Sequence, residues 1–137
     1  MDAFDADILI YAARSDFPPG RRIRALFAAR ADEPAVGVGS VLLLPEVLSK
    51  PVREGNSREV GFLQGLLRRL ELRPVDAATA ELAAILGATY GLRAADAIHL
   101  ATAIASGADR FLTNNRSDFP KSITEIDVTY LDDLAEQ

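Results

Sequence analysis

The chain has 137 residues, a net charge of −5 and a hydrophobic content of 49%. This length fits one domain of about 100–200 residues, and we expect residues 1–137 to form a single unit. The absence of cysteine excludes disulfides and thiolate-bound metals, and a single histidine argues against zinc.

The sequence predicts neither export nor membrane insertion. The first residues carry aspartates and no basic cluster, which excludes a secretory signal. No apolar run approaches the ~18 residues of a membrane helix. We therefore expect a soluble, cytoplasmic protein with no membrane partner. The negative net charge argues mildly against non-specific binding of duplex nucleic acid.

Strands and helices alternate along the predicted chain. In order, we predict a strand at Met1–Phe4, helices at Ala6–Arg14 and Pro19–Ala31, a strand at 35–39, a helix with Ser40 as its N-cap and Pro45 in its first turn, a loop at 50–56, a helix around Val60–Leu70, a strand at 70–75, a helix from the cap Asp76 to Gly91, a helix at Ala95–Ser106, a strand at 110–113, and a half-exposed strand at 126–130. Repeated strand–helix units predict an α/β fold, a three-layer α/β/α sandwich with a central parallel sheet.

Acidic residues recur where these strands end or just inside the following helices. They are Asp5, Glu46, Asp96 and Asp118, with Asn115 beside the last. Ligands of such sheets bind outside the carboxyl ends of the strands. Carboxylates that meet there without cations would repel one another and raise their pKa values. Oxygen-only ligands select Mg²⁺ or Mn²⁺, so the pattern favours a site for such an ion.

Each acid also has a structural explanation. Asp5 could cap the first helix, and an acid near a helix start, such as Asp96, is favoured by the helix dipole. Glu46 lies among apolar neighbours, where an unpaired carboxylate is costly. His99 follows Asp96 by three residues on one helical face, and we expect it to be structural or to support a ligand rather than bind metal.

Four segments resemble the signature blocks of the PIN-domain ribonucleases, whose VapC toxins have a similar length. The segments are "FDADILIYAA", "SVLLLPEVLSK", "LRAADAIHLATAIASGADRFLTNN" and "RSDF". The resemblance places the first three family acids on Asp5, Glu46 and Asp96. Supporting positions fall on Asp7 and Thr113. The fourth acid departs, because Asn115 stands there and Asp118 follows three residues later.

The resemblance implies hydrolysis of RNA with Mg²⁺ or Mn²⁺ held by Asp5, Asp96 and Glu46, with Asn115 or Asp118 completing the site. Attack by water would leave a 5′-phosphate and a 3′-hydroxyl. The resemblance also implies an antitoxin partner and a homodimer. We expect the helices around Leu26–Phe27 and Leu63–Leu67 to supply the dimer surface, and the side-chain oxygen of Asn115 to face an ion-bound water.

Two other functions remain open at this point. "FDADI" also resembles the nucleophile motif of haloacid-dehalogenase-like phosphatases, with Asp5 as nucleophile, Lys121 as the lysine and "YLDDL" as the acidic pair, although the chain lacks a cap. Alternatively, Asn115 indicates a non-catalytic PIN-like module that binds RNA or protein without cleavage.

Overall fold

A five-stranded, fully parallel sheet forms the centre of the computed structural model, which describes residues 1–14 and 16–134. The predicted unit of residues 1–137 is therefore described except at residue 15 and residues 135–137. The strands are β1 (Asp2–Phe4), β2 (Gly37–Ser40), β3 (Leu70–Arg73), β4 (Arg110–Leu112) and β5 (Asp127–Thr129). Their order is β3-β2-β1-β4-β5, so β1 lies in the middle of the sheet.

Six α-helices cover the two faces of this sheet. They are α1 (Ala6–Ala12), α2 (Pro18–Ala29), α3 (Leu43–Arg53), α4 (Ser57–Arg68), α5 (Ala77–Tyr90) and α6 (Ala94–Ala105), followed by a short 3-10 helix at Leu131–Asp133. Neighbouring residues of β1 point to opposite faces. Phe4 packs with α1–α4 in one core, and Ala3 packs with α5 and α6 in the other. The predicted three-layer α/β/α sandwich is confirmed.

Several predicted helix ends are confirmed by their capping contacts. Asp76 accepts a hydrogen bond from the Thr79 backbone at 2.8 Å and so caps α5. Gly91 ends the same helix with φ 68°, a left-handed conformation that suits glycine. Pro45 lies in the first turn of α3, where a missing N–H costs no helical bond.

The third helix begins later and ends later than the sequence predicts. It starts at Leu43, and the Ser40 hydroxyl instead accepts from the Leu42 backbone at 3.1 Å in the preceding turn. The predicted loop at 50–56 is helical as far as Arg53. Pro51 is buried on the same face as Leu43 and Val47. Burial of its ring offsets the helical hydrogen bond that proline cannot make.

The last strand is more buried than its alternating pattern predicts. Asp127 is exposed, but Val128, Thr129 and Tyr130 are all buried. Val128 and Tyr130 belong to the α5–α6 core, and the following Leu131 and Leu134 join the core on the other face. The prediction of a half-exposed strand is therefore confirmed at Asp127 and wrong at Thr129, which is buried.

The apolar residues expected at a dimer surface lie inside the monomer. Phe27, Leu63 and Leu67 are at most 8% exposed, and Leu26 packs against the same core. Phe27 stacks on Phe4 with ring centroids 5.6 Å apart. These four residues therefore do not form an exposed dimer surface, although Phe62 on α4 is 39% exposed. Within the described residues, no helix has the length and apolar character that crossing a membrane requires.

A buried ion-pair network ties the amino ends of the strands together. Arg110 donates to both Asp2 oxygens, at 2.7 and 2.9 Å, and Arg30 lies 2.9 Å from Oδ2. Burial by itself raises the pKa of Asp2, but the hydrogen bonds and charges of Arg110 and Arg30 outweigh it and hold this pKa below its ordinary value.

Asp2→Asn should destabilise the protein by about 2 kcal/mol at pH 7, because two partly buried arginines lose their counter-charge. An acid with a lowered folded-state pKa contributes stability above its ordinary pKa and loses it as pH falls below about 4. The difference between wild type and variant should therefore shrink in acid. Urea unfolding at pH 7 and pH 3.5 measures both effects, and equal stability at pH 7 would contradict the argument.

Candidate active site

Asp5 occupies the carboxyl end of the central strand and is 4% exposed. Its Oδ1 accepts from the Ala6 backbone at 2.9 Å, and its Oδ2 accepts from the Thr113 hydroxyl at 2.7 Å. Asp5 therefore caps α1, which confirms the structural role that the sequence predicts for it. Burial raises the pKa of Asp5, and its hydrogen bonds and the nearby His99 only partly oppose this effect.

Asp96 lies in the first turn of α6, where its carboxylate meets other acids. The pKa of Asp96 is raised to about 6, chiefly by burial. The negative charges of Asp5, Asp118 and Glu46 and a carboxyl–carboxyl contact with Asp118 add to this increase. The sheet and helices thus bring together Asp5, Glu46, Asp96 and Asp118, which are far apart in sequence. Their proximity has an electrostatic cost that is characteristic of functional sites.

Glu46 approaches this group from the first turn of α3. Its Oε2 lies 3.0 Å from Nε2 of His99, a contact that joins helices on opposite faces of the sheet. Burial lowers the pKa of His99, but the hydrogen bond to Glu46 and the charges of Asp5 and its neighbours raise it above its ordinary value overall. Sequence reasoning placed His99 near Asp96 but did not identify Glu46 as its partner, since nothing in the sequence relates residues 53 positions apart.

At the fourth position, Asp118 faces the other acids and Asn115 supports it. Asn115 Nδ2 donates to Asp118 Oδ2 at 2.9 Å. Asn115 Oδ1 accepts from the Ser117 hydroxyl at 3.1 Å and from the Asp118 backbone at 3.3 Å. The sequence predicts that this oxygen faces an ion-bound water. The structure differs because the tight turn after β4 engages the oxygen in local hydrogen bonds.

Asp7 and Thr113 lie beside this group, as the sequence predicts. Thr113 links the loop to the site, since its Oγ1 also accepts from the Asn115 backbone at 3.1 Å. Asp7 Oδ2 accepts from the Asn114 backbone at 2.9 Å, whereas its buried Oδ1 has no partner among the described residues. Burial, followed by the charge of Asp5, raises the pKa of Asp7 to about 7.

The chemistry of these side chains suits a hard divalent cation. Within the described part of the chain, no lysine or arginine forms an ion pair with Asp5, Asp7 or Asp96. Raised pKa values and the unpartnered Asp7 oxygen indicate negative charge that lacks compensation. As the described side chains stand, no three acids or histidines are arranged around one ion.

With this geometry established, comparison with known proteins identifies the class. The PIN domain family matches residues 3–121, and the chain belongs to that family. No curated protein sequence matches it.

Two solved structures share the fold. One is the Rickettsia felis VapBC2 complex bound to a DNA fragment from its promoter, at 18% identity and TM-score 0.74, covering 94% of this chain and 97% of that one. The other is a toxin–antitoxin complex from Klebsiella pneumoniae, at 23% identity and TM-score 0.67, covering 93% and 99%.

The structure also bears on the phosphatase alternative. Lys121 pairs with Asp133 at 2.6 Å, and Asp132 pairs with Arg116 at 2.5 Å. The lysine and the acidic pair of the supposed phosphatase motif therefore neutralise one another and their neighbours instead of serving Asp5. Together with membership of the PIN family, this arrangement removes the support for a haloacid-dehalogenase-like phosphatase.

Asp7→Asn should stabilise the protein in EDTA at pH 8 and have little effect at pH 4. The folded protein holds the Asp7 proton up to about pH 7 whereas the unfolded chain releases it near 3.8, so wild-type stability falls as pH rises between these values. We expect a gain of at least about 1 kcal/mol at pH 8, or about 4 °C in Tm. Thermal melts at both pH values test this, and a larger gain at pH 4 than at pH 8 would contradict it.

Proposed function

We propose that this PIN domain is a Mg²⁺- or Mn²⁺-dependent endoribonuclease that acts in the cytoplasm as the toxin of a toxin–antitoxin pair. The observation that carries the proposal is the meeting of Asp5, Asp96, Glu46 and Asp118 at the carboxyl end of the sheet. No lysine or arginine among the described residues forms an ion pair with any of these four acids. PIN domains are generally nucleases, and two structures with this fold are toxin–antitoxin complexes.

In this proposal Asp5 and Asp96 hold the ion, together with Glu46 and Asp118. When bound, Mg²⁺ or Mn²⁺ would lower the pKa of the attacking water and stabilise charge on the phosphate. Asp5 is oriented for this role by Thr113 and the Ala6 backbone. Addition of water to phosphorus with loss of the 3′ oxygen gives the 5′-phosphate and 3′-hydroxyl that the family resemblance implies.

A groove beside Glu46 supports the proposal that the substrate is RNA. It has a volume of about 790 Å³ and lies among α1, α2, α3 and α4. Arg14, Arg24, Lys50 and Arg58 contribute to its walls, and Phe62 adds an aromatic ring. Cationic side chains can contact phosphates and an aromatic ring can stack on a base, which is how single strands are commonly bound. A protein antitoxin and a second copy of the chain complete the proposed partners.

Asp5→Asn, Glu46→Gln and Asp96→Asn should each reduce Mn²⁺-dependent cleavage of single-stranded RNA at least about 100-fold, as loss of charge at a metal site usually does. The matched control is Asp32→Asn, an exposed acid in the turn before β2, which should keep full activity. Gel-based cleavage assays and circular dichroism separate lost chemistry from lost folding.

Retention of full activity by Asp5→Asn would reject this site. Binding of RNA without cleavage by the wild type, in Mn²⁺, would instead favour the non-catalytic module that Asn115 first suggested.

Two substitutions test the fourth acidic position. Asp118→Ala should raise the Mn²⁺ concentration needed for half-maximal activity, because it removes one of the converging charges. Asn115→Asp should lower that concentration, because it adds a charge next to Asp118, although Asp118 loses an amide donor. Titration of activity against Mn²⁺ measures both midpoints. Unchanged midpoints in both variants would remove these two residues from the site.

A further inference from the structure

We propose that His99 is the positioning residue of Glu46, holding its carboxylate at the acidic site through a hydrogen bond from Nε2. The inference rests on the proposed function, because it assigns His99 a role toward the same ion. Nε2 lies 3.0 Å from Oε2, and the histidine side chain is 1% exposed whereas that of Glu46 is 32% exposed. A buried donor thus contacts a partly solvated acceptor.

Glu46 needs such a partner more than the other acids do. It reaches the site from α3, on the opposite face of the sheet from Asp96, through a long side chain whose ordering costs conformational entropy. Asp5 and Asp96 repel it. Without His99, the conformation of lowest free energy for Glu46 turns its carboxylate away from the other acids and into water.

The other acids show the same kind of support. Asp5 is held by the Thr113 hydroxyl, and Asp118 is held by the Asn115 amide. Both donors are neutral, so they orient a carboxylate without cancelling the charge that an ion would use. His99 supplies the equivalent donor to Glu46, and its position one turn after Asp96 on α6 directs it to the same site.

The unpartnered second nitrogen of His99 agrees with this role. Nδ1 is buried and has no hydrogen-bond partner among the described residues. Among the described residues, no contact at Nδ1 competes with the hydrogen bond between Nε2 and Glu46 for the orientation of the ring. Nε2 donates to Oε2 in the neutral Nε2–H tautomer and in the charged ring alike, so the proposed contact does not depend on the charge of the ring.

The experiment compares two amides at position 99. His99→Gln can place its side-chain nitrogen close to the Nε2 position and should keep the Mn²⁺ Kd within about twofold. His99→Asn is one carbon too short to reach Glu46 and should weaken Mn²⁺ binding about tenfold, the usual cost of losing a residue that orients a metal ligand. Isothermal titration with Mn²⁺ alone measures the Kd of the intact protein without RNA.

A double-mutant cycle shows whether His99 acts through Glu46. If it does, His99→Asn should cause no further loss of Mn²⁺ affinity in a Glu46→Gln protein. Thr102→Val is the matched control, because it removes a buried polar group one turn further along α6 and should leave the Kd unchanged. Urea unfolding checks that each variant folds, and His99→Leu replaces His99→Asn if that protein does not.

Three results would overturn the proposal. They are wild-type affinity in His99→Asn, equal loss in the Gln and Asn variants, and a full tenfold further loss in the Glu46→Gln background. Each leaves the proposed ribonuclease function intact as long as the wild type binds Mn²⁺ and cleaves RNA. Failure of the wild type to bind Mn²⁺ would remove the proposed function, and the role of His99 with it.

Discussion

The uncompensated negative charge at the carboxyl end of β1 is the constraint on which the rest of this site depends. The strand order β3-β2-β1-β4-β5 puts Asp5 at the middle of the sheet, and the loops and helices that follow β2 and β4 bring other acids to the same edge. Burial and mutual repulsion raise the pKa values of Asp5 and Asp96. This arrangement costs folding energy in the absence of a cation, so it is better explained by function than by stability.

The two ends of β1 show that the missing cation is a local feature. Asp2 and Asp5 are both buried acids of the same short segment. Asp2 receives Arg110 and Arg30 at the amino end, and its pKa falls. At the carboxyl end, Asp5 accepts hydrogen bonds from the Ala6 backbone and the Thr113 hydroxyl, and burial raises its pKa. Arg110 and Arg30 therefore neutralise the buried acid at the amino end of the sheet. They lie away from the carboxyl end, where the other acids meet.

Hydrogen-bond donors other than lysine and arginine orient the acids of this site. The Thr113 hydroxyl contacts Asp5, and the His99 imidazole contacts Glu46, in both cases from a distant segment of the chain. The Asn115 amide contacts Asp118 within one turn. The His99–Glu46 contact also couples the helices on the two faces of the sheet. Under the proposed function, metal affinity would depend on packing between the layers as well as on the acids themselves.

Local signals in the sequence determined the elements of this fold and most residues of its site. Alternating strands and helices, the cap at Asp76 and the glycine at Gly91 reflect preferences within a few residues, and motif context marked Asp5, Glu46 and Asp96. Tertiary structure alone decided the burial of Thr129 in β5, the helical path through Pro51, and the burial of Phe27 in the core. It also decided that Asn115 turns its oxygen into its own loop and that His99 holds Glu46. These features depend on contacts between segments distant in sequence, or on the competition of local and distant hydrogen bonds for one side chain, and neither is encoded in periodicity or spacing.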